Sequence, residues 1–260
     1  MNKTNNNENK FKYPIHSVEN AFSLLEAFAD KGFELGIAEL CKKIALPKGT
    51  VHRLLGTLKN LGYIEQNSRN RKYYLTVKIF KLGTAVTDKI GLVQIIPYMK
   101  ELSQQFNETV NLAILDRDEI TYLYSAGSDN TLRLDLKIGS NQPAYCTALG
   151  RVLLADFSEK ELNNYLDRIK LKPFTSYTIT NKNKFKKELK LIKERGYSVV
   201  SEEYILGVFC IAVPLRDKQG KIYAGLSFSI PTARMDKGKL LHLIDSLIST
   251  AKKITIPGFF

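Results

Sequence analysis

The sequence is poor in residues that form covalent or metal cross-links. It contains three cysteines, three histidines and no tryptophan in 260 residues. The cysteines are odd in number, far apart and without a CxxC pair, and the histidines have no ligand-type spacing. These features argue against a disulfide framework and a zinc cluster, so we expect neither a metal nor a cofactor.

Long apolar runs are also absent. No run approaches the roughly 18 apolar residues that a bilayer span requires. The first dozen residues are rich in Asn and Lys and lack the apolar core of a secretion signal. We therefore expect no membrane contact, a cytoplasmic location and a disordered tail over residues 1–12.

Acidic residues are scarce in one segment. The whole chain has 39 Lys+Arg against 26 Asp+Glu, a formal net charge of +13. Residues 40–76 hold eight basic residues and one acid, so these 37 residues carry +7. Such a charge favours a polyanionic partner, although charge alone does not distinguish nucleic acid from an acidic membrane surface.

The same segment has the pattern of a small DNA-binding domain. Apolar periodicity predicts helices near residues 17–30, 37–44 and 49–61. Strand-like segments at 63–66 and 71–75 then enclose a basic turn. A short helix, a tight turn, an amphipathic helix and a basic hairpin follow the order of a winged helix-turn-helix.

The third predicted helix is the candidate recognition helix, because its apolar residues occupy one narrow sector and its opposite side is free of acids. In this fold one helix enters the major groove, about 12 Å wide, while the hairpin holds phosphates or enters the minor groove. The predicted DNA-binding residues are Lys48, Gly49, Thr50, His52, Arg53, Thr57, Arg69, Arg71 and Lys72. A plain three-helix packing unit with a charged surface is the alternative.

The second half of the chain predicts a separate α+β domain. Residues 77–92 form a helical connector whose apolar side suggests contact with a partner subunit, and another helix begins at residue 93. Strand-like runs follow at 109–116, 119–126, 131–138, 198–201, 208–215 and 221–230, and helical segments at 144–156, 159–168, 182–194 and 235–252. This mixture predicts a sheet with helices on its faces.

Several ordered motifs resemble the IclR family of bacterial transcription regulators. The DNA-binding half is similar at Ser17-Val18-Glu19-Asn20-Ala21, at residues 46–55 and at Leu61-Gly62-Tyr63. The effector-binding half is similar at residues 143–151, 195–197, 202–203, 207–212 and 227–231. The resemblance implies a winged helix-turn-helix over residues 13–76, a linker helix over 77–92 and a GAF-like effector-binding and oligomerisation domain over 93–260.

The resemblance also implies partners. Members of the family act as dimers or dimers of dimers on palindromic operators and sense small organic acids or aromatic catabolites. Residues 143–151 are most similar to members that respond to aromatic acids of the protocatechuate type. We therefore expect a homodimer or homotetramer, double-stranded operator DNA and a small anionic organic acid, with an aromatic acid as the nearest match.

Carried onto this sequence, the resemblance places the effector between a loop that enters a helix and two strands. The implied lining is Thr147, Ala148, Leu149, Val208, Cys210, Ser227 and Ser229. Backbone N–H groups at a helix start attract a carboxylate, and the two serines share one face because side chains of a strand alternate. The alternative is that Cys146 and Cys210 are small core residues and that the serines face solvent.

Two positions depart from the family pattern. Gly49 stands where many members have serine, so the cap of the recognition helix must come from Thr50 or from the backbone. Residues 199–201 lack the aspartate that contributes to the pocket in some members. Contacts to a hydroxyl or keto group of the effector are therefore expected to differ here.

The leading hypothesis is a transcription regulator, with repression of a catabolic operon favoured, whose effector shifts the population of dimer geometries. One rival is a constitutive DNA-binding oligomer without an effector. Another is an enzyme with Cys146 or Cys210 as nucleophile and His242 as base. No Gly-rich phosphate loop, metal motif or GxSxG sequence accompanies these residues.

Overall fold

The computed structural model describes residues 13–30 and 34–254. The tail predicted over residues 1–12 and the last six residues of the predicted second domain lie outside the described residues. The chain divides into two compact units, residues 1–86 and 87–260. Each unit has a hydrophobic core of its own.

The first unit is a winged helix-turn-helix, as predicted. Its elements are α1 (His16–Asp30), α2 (Ile37–Ile44), α3 (Lys48–Asn60), β1 (Ile64–Gln66), β2 (Tyr73–Leu75) and the first part of α4 (Val77–Ile90). The strands pair antiparallel, and a bridge between Leu35 and Tyr73 extends the hairpin. Apolar residues of all three helices meet beneath it, among them Leu24, Leu40 and Leu55, each with no exposed surface.

Two predicted helix starts are wrong by one or two residues. α1 begins at His16, one residue before the predicted start, so Ser17 lies inside the helix. α3 begins at Lys48, and Pro47 occupies the N-cap position without a side-chain hydrogen bond, so Thr50 does not cap the helix. The proline ring fixes φ at −59°, and Pro47 O accepts the first helical hydrogen bond from Val51 N–H. The helix can therefore begin directly after the proline.

The second unit is an α+β domain built on one antiparallel sheet. Its strands lie in the order β5-β4-β3-β8-β7-β6. They are β3 (Thr109–Asp116), β4 (Glu119–Ala126), β5 (Asn141–Pro143), β6 (Ser198–Ser201), β7 (Val208–Arg216) and β8 (Ile222–Pro231). The helices are α5 (Leu92–Phe106), α6 (Ala148–Leu154), α7 (Glu159–Arg168), α8 (Lys182–Arg195) and α9 (Lys237–Lys253), with 3-10 turns at Ala144–Cys146 and Thr232–Arg234.

Helices cover both faces of this sheet. α5 and α9 pack on one face, where Leu226, Phe228 and Ile230 of β8 join their core. α6 and α8 pack on the other face, in a second core. Because side chains of a strand alternate, Ser227 and Ser229 point toward this second face, where they line a cavity.

The strand predicted over residues 131–138 is wrong. This segment is an irregular connection between β4 and β5. Its backbone is held by side chains: Thr109 Oγ1 donates to Leu134 O at 3.2 Å and Arg234 Nη1 to Leu132 O at 2.8 Å. The alternating leucines that suggested a strand instead bring Leu134 and Leu136 to the wall of the cavity.

Candidate functional site

The outer face of α3 presents the residues predicted to contact DNA. Val51, Leu55 and Leu58 are buried beneath the helix, and by the helical period the side chains of His52, Arg53 and Thr57 then lie on the opposite, exposed face. Gly49 and Thr50 are exposed in its first turn. The helix contains no acidic residue. The outer face of α3 is therefore cationic and exposed to solvent, and its inner face is apolar and buried.

The hairpin turn adds three further cations, which differ in exposure and in ion pairing. Arg69 and Arg71 are exposed, and within the described ranges neither forms an ion pair. Lys72 is only partly exposed, and its Nζ lies 3.5 Å from Glu39 Oε2. The two arginines are therefore free to meet an external anion, whereas Lys72 already has an internal partner.

The second unit contains a cavity on the α6 side of its sheet. It holds about 460 Å³ of space free of atoms, part of it open to solvent. All seven residues that the resemblance implied for the effector pocket line it, from the start of α6, from β7 and from β8. The sequence prediction missed nine other lining residues: Tyr122, Leu134, Leu136, Gln142, Cys146, Val200, Glu203, Tyr204 and Ile205.

A glycine shapes the loop that enters α6. The Thr147 hydroxyl caps this helix by accepting a hydrogen bond from Gly150 N–H at 3.1 Å. A Cβ atom at Gly150 would overlap the carbonyl oxygen of Ala144, so the 3-10 turn and α6 approach closely only because residue 150 has no side chain. This contact fixes where Thr147, Ala148 and Leu149 meet the cavity.

The sheet supplies a polar floor. Asn111, fully buried on β3, donates from Nδ2 to Ser229 Oγ at 3.0 Å and accepts from Ser125 Oγ at 2.7 Å. Ser229 Oγ also lies 3.4 Å from Cys210 Sγ. The hydroxyl of Ser227 has no hydrogen-bond partner among the described residues, although Ser227 is 1% exposed. The floor can therefore offer hydroxyl groups to a polar ligand.

One carboxylate in the cavity wall, that of Glu203, is neutralised by a buried arginine. Glu203 Oε2 accepts from Arg151 Nη2 at 2.5 Å and from Ile179 N–H at 2.9 Å. Arg151 is 1% exposed and also donates from Nε to Tyr145 O at 2.9 Å. The carboxylate that the family resemblance would place in residues 199–201 is replaced by apolar surface, because Val200 lines the cavity. The cavity thus has no uncompensated carboxylate among its lining residues, and an anion can enter it.

The two thiols are poorly suited to nucleophilic catalysis. Burial raises the pKa of Cys146 to about 12, even though Arg151 acts in the opposite direction. Burial also raises the pKa of Cys210 to about 11. Both remain protonated at neutral pH. His242 is exposed on α9, across the sheet from both thiols, so the pairing considered from the sequence does not form.

The described residues contain neither a metal-binding cluster nor a membrane-spanning helix. Within residues 13–30 and 34–254, no group of three His, Cys, Asp or Glu side chains could hold a metal ion. In the same ranges no helix has the length and apolar character needed to cross a membrane.

Comparisons with known proteins give both units the same family. The model of the IclR helix-turn-helix domain matches residues 17–68, and the model of the bacterial transcriptional regulator IclR C-terminal domain matches residues 84–256. The chain belongs to the IclR family of bacterial transcriptional regulators. The resemblance noted from the sequence motifs is thereby confirmed for this IclR-family protein.

The curated relatives of this IclR-family chain are transcriptional regulators, and they match it over most of its length. It is 37% identical over 242 residues to the HTH-type transcriptional regulator KdgR of Escherichia coli (strain K12), covering 93% of this chain and 92% of that protein. It is 33% identical over 226 residues to the Pca regulon regulatory protein of Pseudomonas putida, covering 86% and 77%. The protein is therefore a DNA-binding transcriptional regulator and not an enzyme.

Solved structures agree with this fold. A putative transcriptional regulator from Rhodococcus sp. RHA1 is 27% identical, with a TM-score of 0.79 over 92% of this IclR-family chain and 96% of that one. The C-terminal domain of Escherichia coli KdgR is 36% identical, with a TM-score of 0.56 over 61% of this chain and 92% of that one.

Proposed function

We propose that this regulator binds operator DNA through α3 and the wing, which is the β1–β2 hairpin over residues 64–75. We further propose that a small organic acid in the cavity controls its affinity for the operator. In this proposal it represses a catabolic operon in the bacterial cytoplasm. The observation that carries the proposal is the presence of two distinct features: an exposed cationic helix face in the first unit and a partly open cavity with a polar floor in the second.

The DNA-binding part rests on the outer face of α3. Arg53 has the two-pronged donor geometry that pairs with a guanine edge in the major groove. Thr50 and His52 accompany it near the N-terminal end of the helix, where side chains reach base edges in this fold. Lys48, Arg69 and Arg71 would contact phosphates and contribute affinity more than sequence choice.

The effector part rests on the chemistry of the cavity. Ser227 and Ser229 offer hydroxyl donors, and the first N–H groups of α6 favour a carboxylate. Leu134, Leu136 and Val208 would pack against the apolar part of the ligand. A small carboxylic acid with an apolar or aromatic body fits this division.

A related solved domain supports this ligand class. The inducer-binding domain of the PobR transcription factor from Acinetobacter, solved as a complex of a double mutant with 3-hydroxybenzoic acid, is 28% identical to this chain with a TM-score of 0.58. It covers 60% of this chain and 93% of that one. We infer the class of ligand from this similarity and not the individual acid.

A homodimer or homotetramer completes the proposal. Four large apolar side chains of α4 are more than half exposed: Val77, Phe80, Leu82 and Val86. Exposed apolar patches of this kind mark protein interfaces. A palindromic operator would then match the two-fold symmetry of the protein.

The test is the affinity for an operator selected from random duplexes, measured with and without each member of a library of organic acids. At least one acid should change the affinity, whereas a constitutive DNA-binding oligomer would show a flat response to all of them. Ser227→Val should abolish the response and leave the affinity without acid unchanged. Ser201→Ala, at an exposed position of β6, is the control and should retain the response.

A further inference from the structure

The wing tip, residues 67–72, is attached to the body of the first unit by one carboxylate. Glu34 Oε1 accepts from Asn67 Nδ2 at 2.7 Å, and Glu34 Oε2 accepts from Asn70 Nδ2 at 2.5 Å. The carbonyl oxygens of the two asparagines accept from backbone N–H groups of the turn, Asn67 from Arg69 and Asn70 from Lys72, both at 2.9 Å. Both ends of each amide are occupied, so the shape of the turn is coupled to Glu34.

The backbone next to Glu34 is held by hydrogen bonds to β2. The next residue, Leu35, exchanges two backbone hydrogen bonds with Tyr73 of β2, both at 2.9 Å. Leu35 and Tyr73 are both buried in the core of the first unit. The carboxylate therefore links the outermost residues of the wing to a segment that is hydrogen-bonded to β2 and buried in the core.

The wing tip needs such a support. Arg71 has φ of 60°, a left-handed conformation that residues other than glycine seldom adopt. Such a conformation persists where its surroundings fix it. The tip also carries three cations, Arg69, Arg71 and Lys72, which repel one another. Hydrogen bonds from Asn67 and Asn70 lower the pKa of Glu34, so its carboxylate stays charged beside these cations.

We propose that Glu34 is a positioning residue for DNA binding, which holds the wing tip in the conformation that presents Arg69 and Arg71 to phosphates. This inference rests on the proposed role of the wing. It predicts the opposite of simple electrostatics, in which removal of a negative charge near a DNA-binding surface strengthens binding. A fixed turn instead spares part of the ordering cost of the arginine side chains when they bind.

The test uses the full-length chain and a mixed-sequence DNA duplex a few helical turns long, at low salt. Glu34→Gln should weaken binding by about threefold to tenfold, because the turn loses its double acceptor. The dependence of log K on log[salt] should become shallower, since fewer phosphates are neutralised. Glu65→Gln is the matched control: this exposed carboxylate on β1 accepts from Tyr74 OH and does not hold the tip. It should leave the affinity unchanged or increase it.

A second background separates this inference from the proposed function. Arg69→Gln/Arg71→Gln should weaken binding, and Glu34→Gln should add no further loss in that background. If the arginine variant binds like the wild type, the proposed contact between the wing and DNA is wrong. The proposed role of Glu34, which depends on that contact, is then wrong as well. If only the arginines matter, or if Glu34→Gln strengthens binding or weakens both backgrounds equally, the role of Glu34 alone is overturned. A lower urea midpoint with an unchanged salt slope also overturns it, because that result reports lost folding.

Discussion

The outer face of α3 and the cavity of the second unit differ in how much of their chemistry is in water. Arg53 and His52 on α3 are exposed, whereas Glu203 and Ser229 at the cavity are almost fully buried. Exposed charges are screened by salt, while buried charges and hydrogen bonds depend on geometry. One protein thus combines a surface that responds to ionic strength with a cavity that responds to shape.

The largest expected effect is on the exposed surface. Raising the salt concentration from about 50 to about 200 mM should weaken duplex binding by about a thousandfold, as for proteins that neutralise six or more phosphates. The affinity for an organic acid in the cavity should change by less than about tenfold. Fluorescence anisotropy with labelled duplex and calorimetry with the acid measure the two. Equal salt sensitivity would contradict the contrast.

The next largest effect is on the buried ion pair. Arg151→Met should lower the free energy of unfolding by about 3–5 kcal/mol, because it leaves Glu203 buried without its cation. Arg216→Met removes one of the two cations paired with Asp156, the other being Lys193. The side chains of Arg216 and Asp156 are 40% and 29% exposed, so the loss should be at most about 1 kcal/mol. Urea unfolding measures both variants. Similar losses would mean that burial does not set the strength of these pairs.

A smaller effect concerns sequence choice. Arg53→Ala should cost about 1–3 kcal/mol at the specific operator and reduce the ratio of specific to random binding. Arg71→Ala should weaken all duplexes alike, because phosphate contacts carry no sequence information. Competition between operator and random duplex measures the ratio. An unchanged ratio in Arg53→Ala would show that α3 is not the recognition helix.

The smallest effect separates the cap of α6 from an ordinary cap. Thr147→Ala and Ser158→Ala each remove an N-cap hydroxyl, from α6 and α7 respectively, and each should cost about 1 kcal/mol of stability. Only Thr147→Ala should also weaken binding of the organic acid, since Thr147 lines the cavity. Parallel titrations of the two variants decide this, and equal acid affinities would remove Thr147 from the site.

The contrast also explains what the sequence could predict. Charge and helical periodicity lie in contiguous residues, so α3 and the hairpin were found from the sequence. The cavity is assembled from five of the six strands, the start of α6 and three connections. Periodicity contains no information on which of these segments meet. The family resemblance supplied seven lining residues, but Tyr122 and Gln142 came together only through the pairing of β4 with β5.

The two errors have specific structural causes. Residues 131–138 alternate like a strand, but the carbonyl oxygens of Leu132 and Leu134 accept hydrogen bonds from the side chains of Arg234 and Thr109, which lie in distant parts of the chain. α3 begins earlier than predicted because Pro47 occupies the N-cap position without a capping side chain. In both cases a contact or a ring constraint outweighed the pattern of neighbouring residues.

The pairing of β3 with β8 has a consequence for synthesis of the protein. Asn111 pairs with Ser227, so the centre of the sheet joins segments made at opposite ends of the second unit. Domains fold as units during translation, the N-terminal one first. The first unit can fold on the ribosome, whereas β3 can pair with β8 only after most of the second unit has been made. Until β8 has been made, the edge of β3 that pairs with it has no partner, and unpaired strand edges are places where incompletely folded chains can associate.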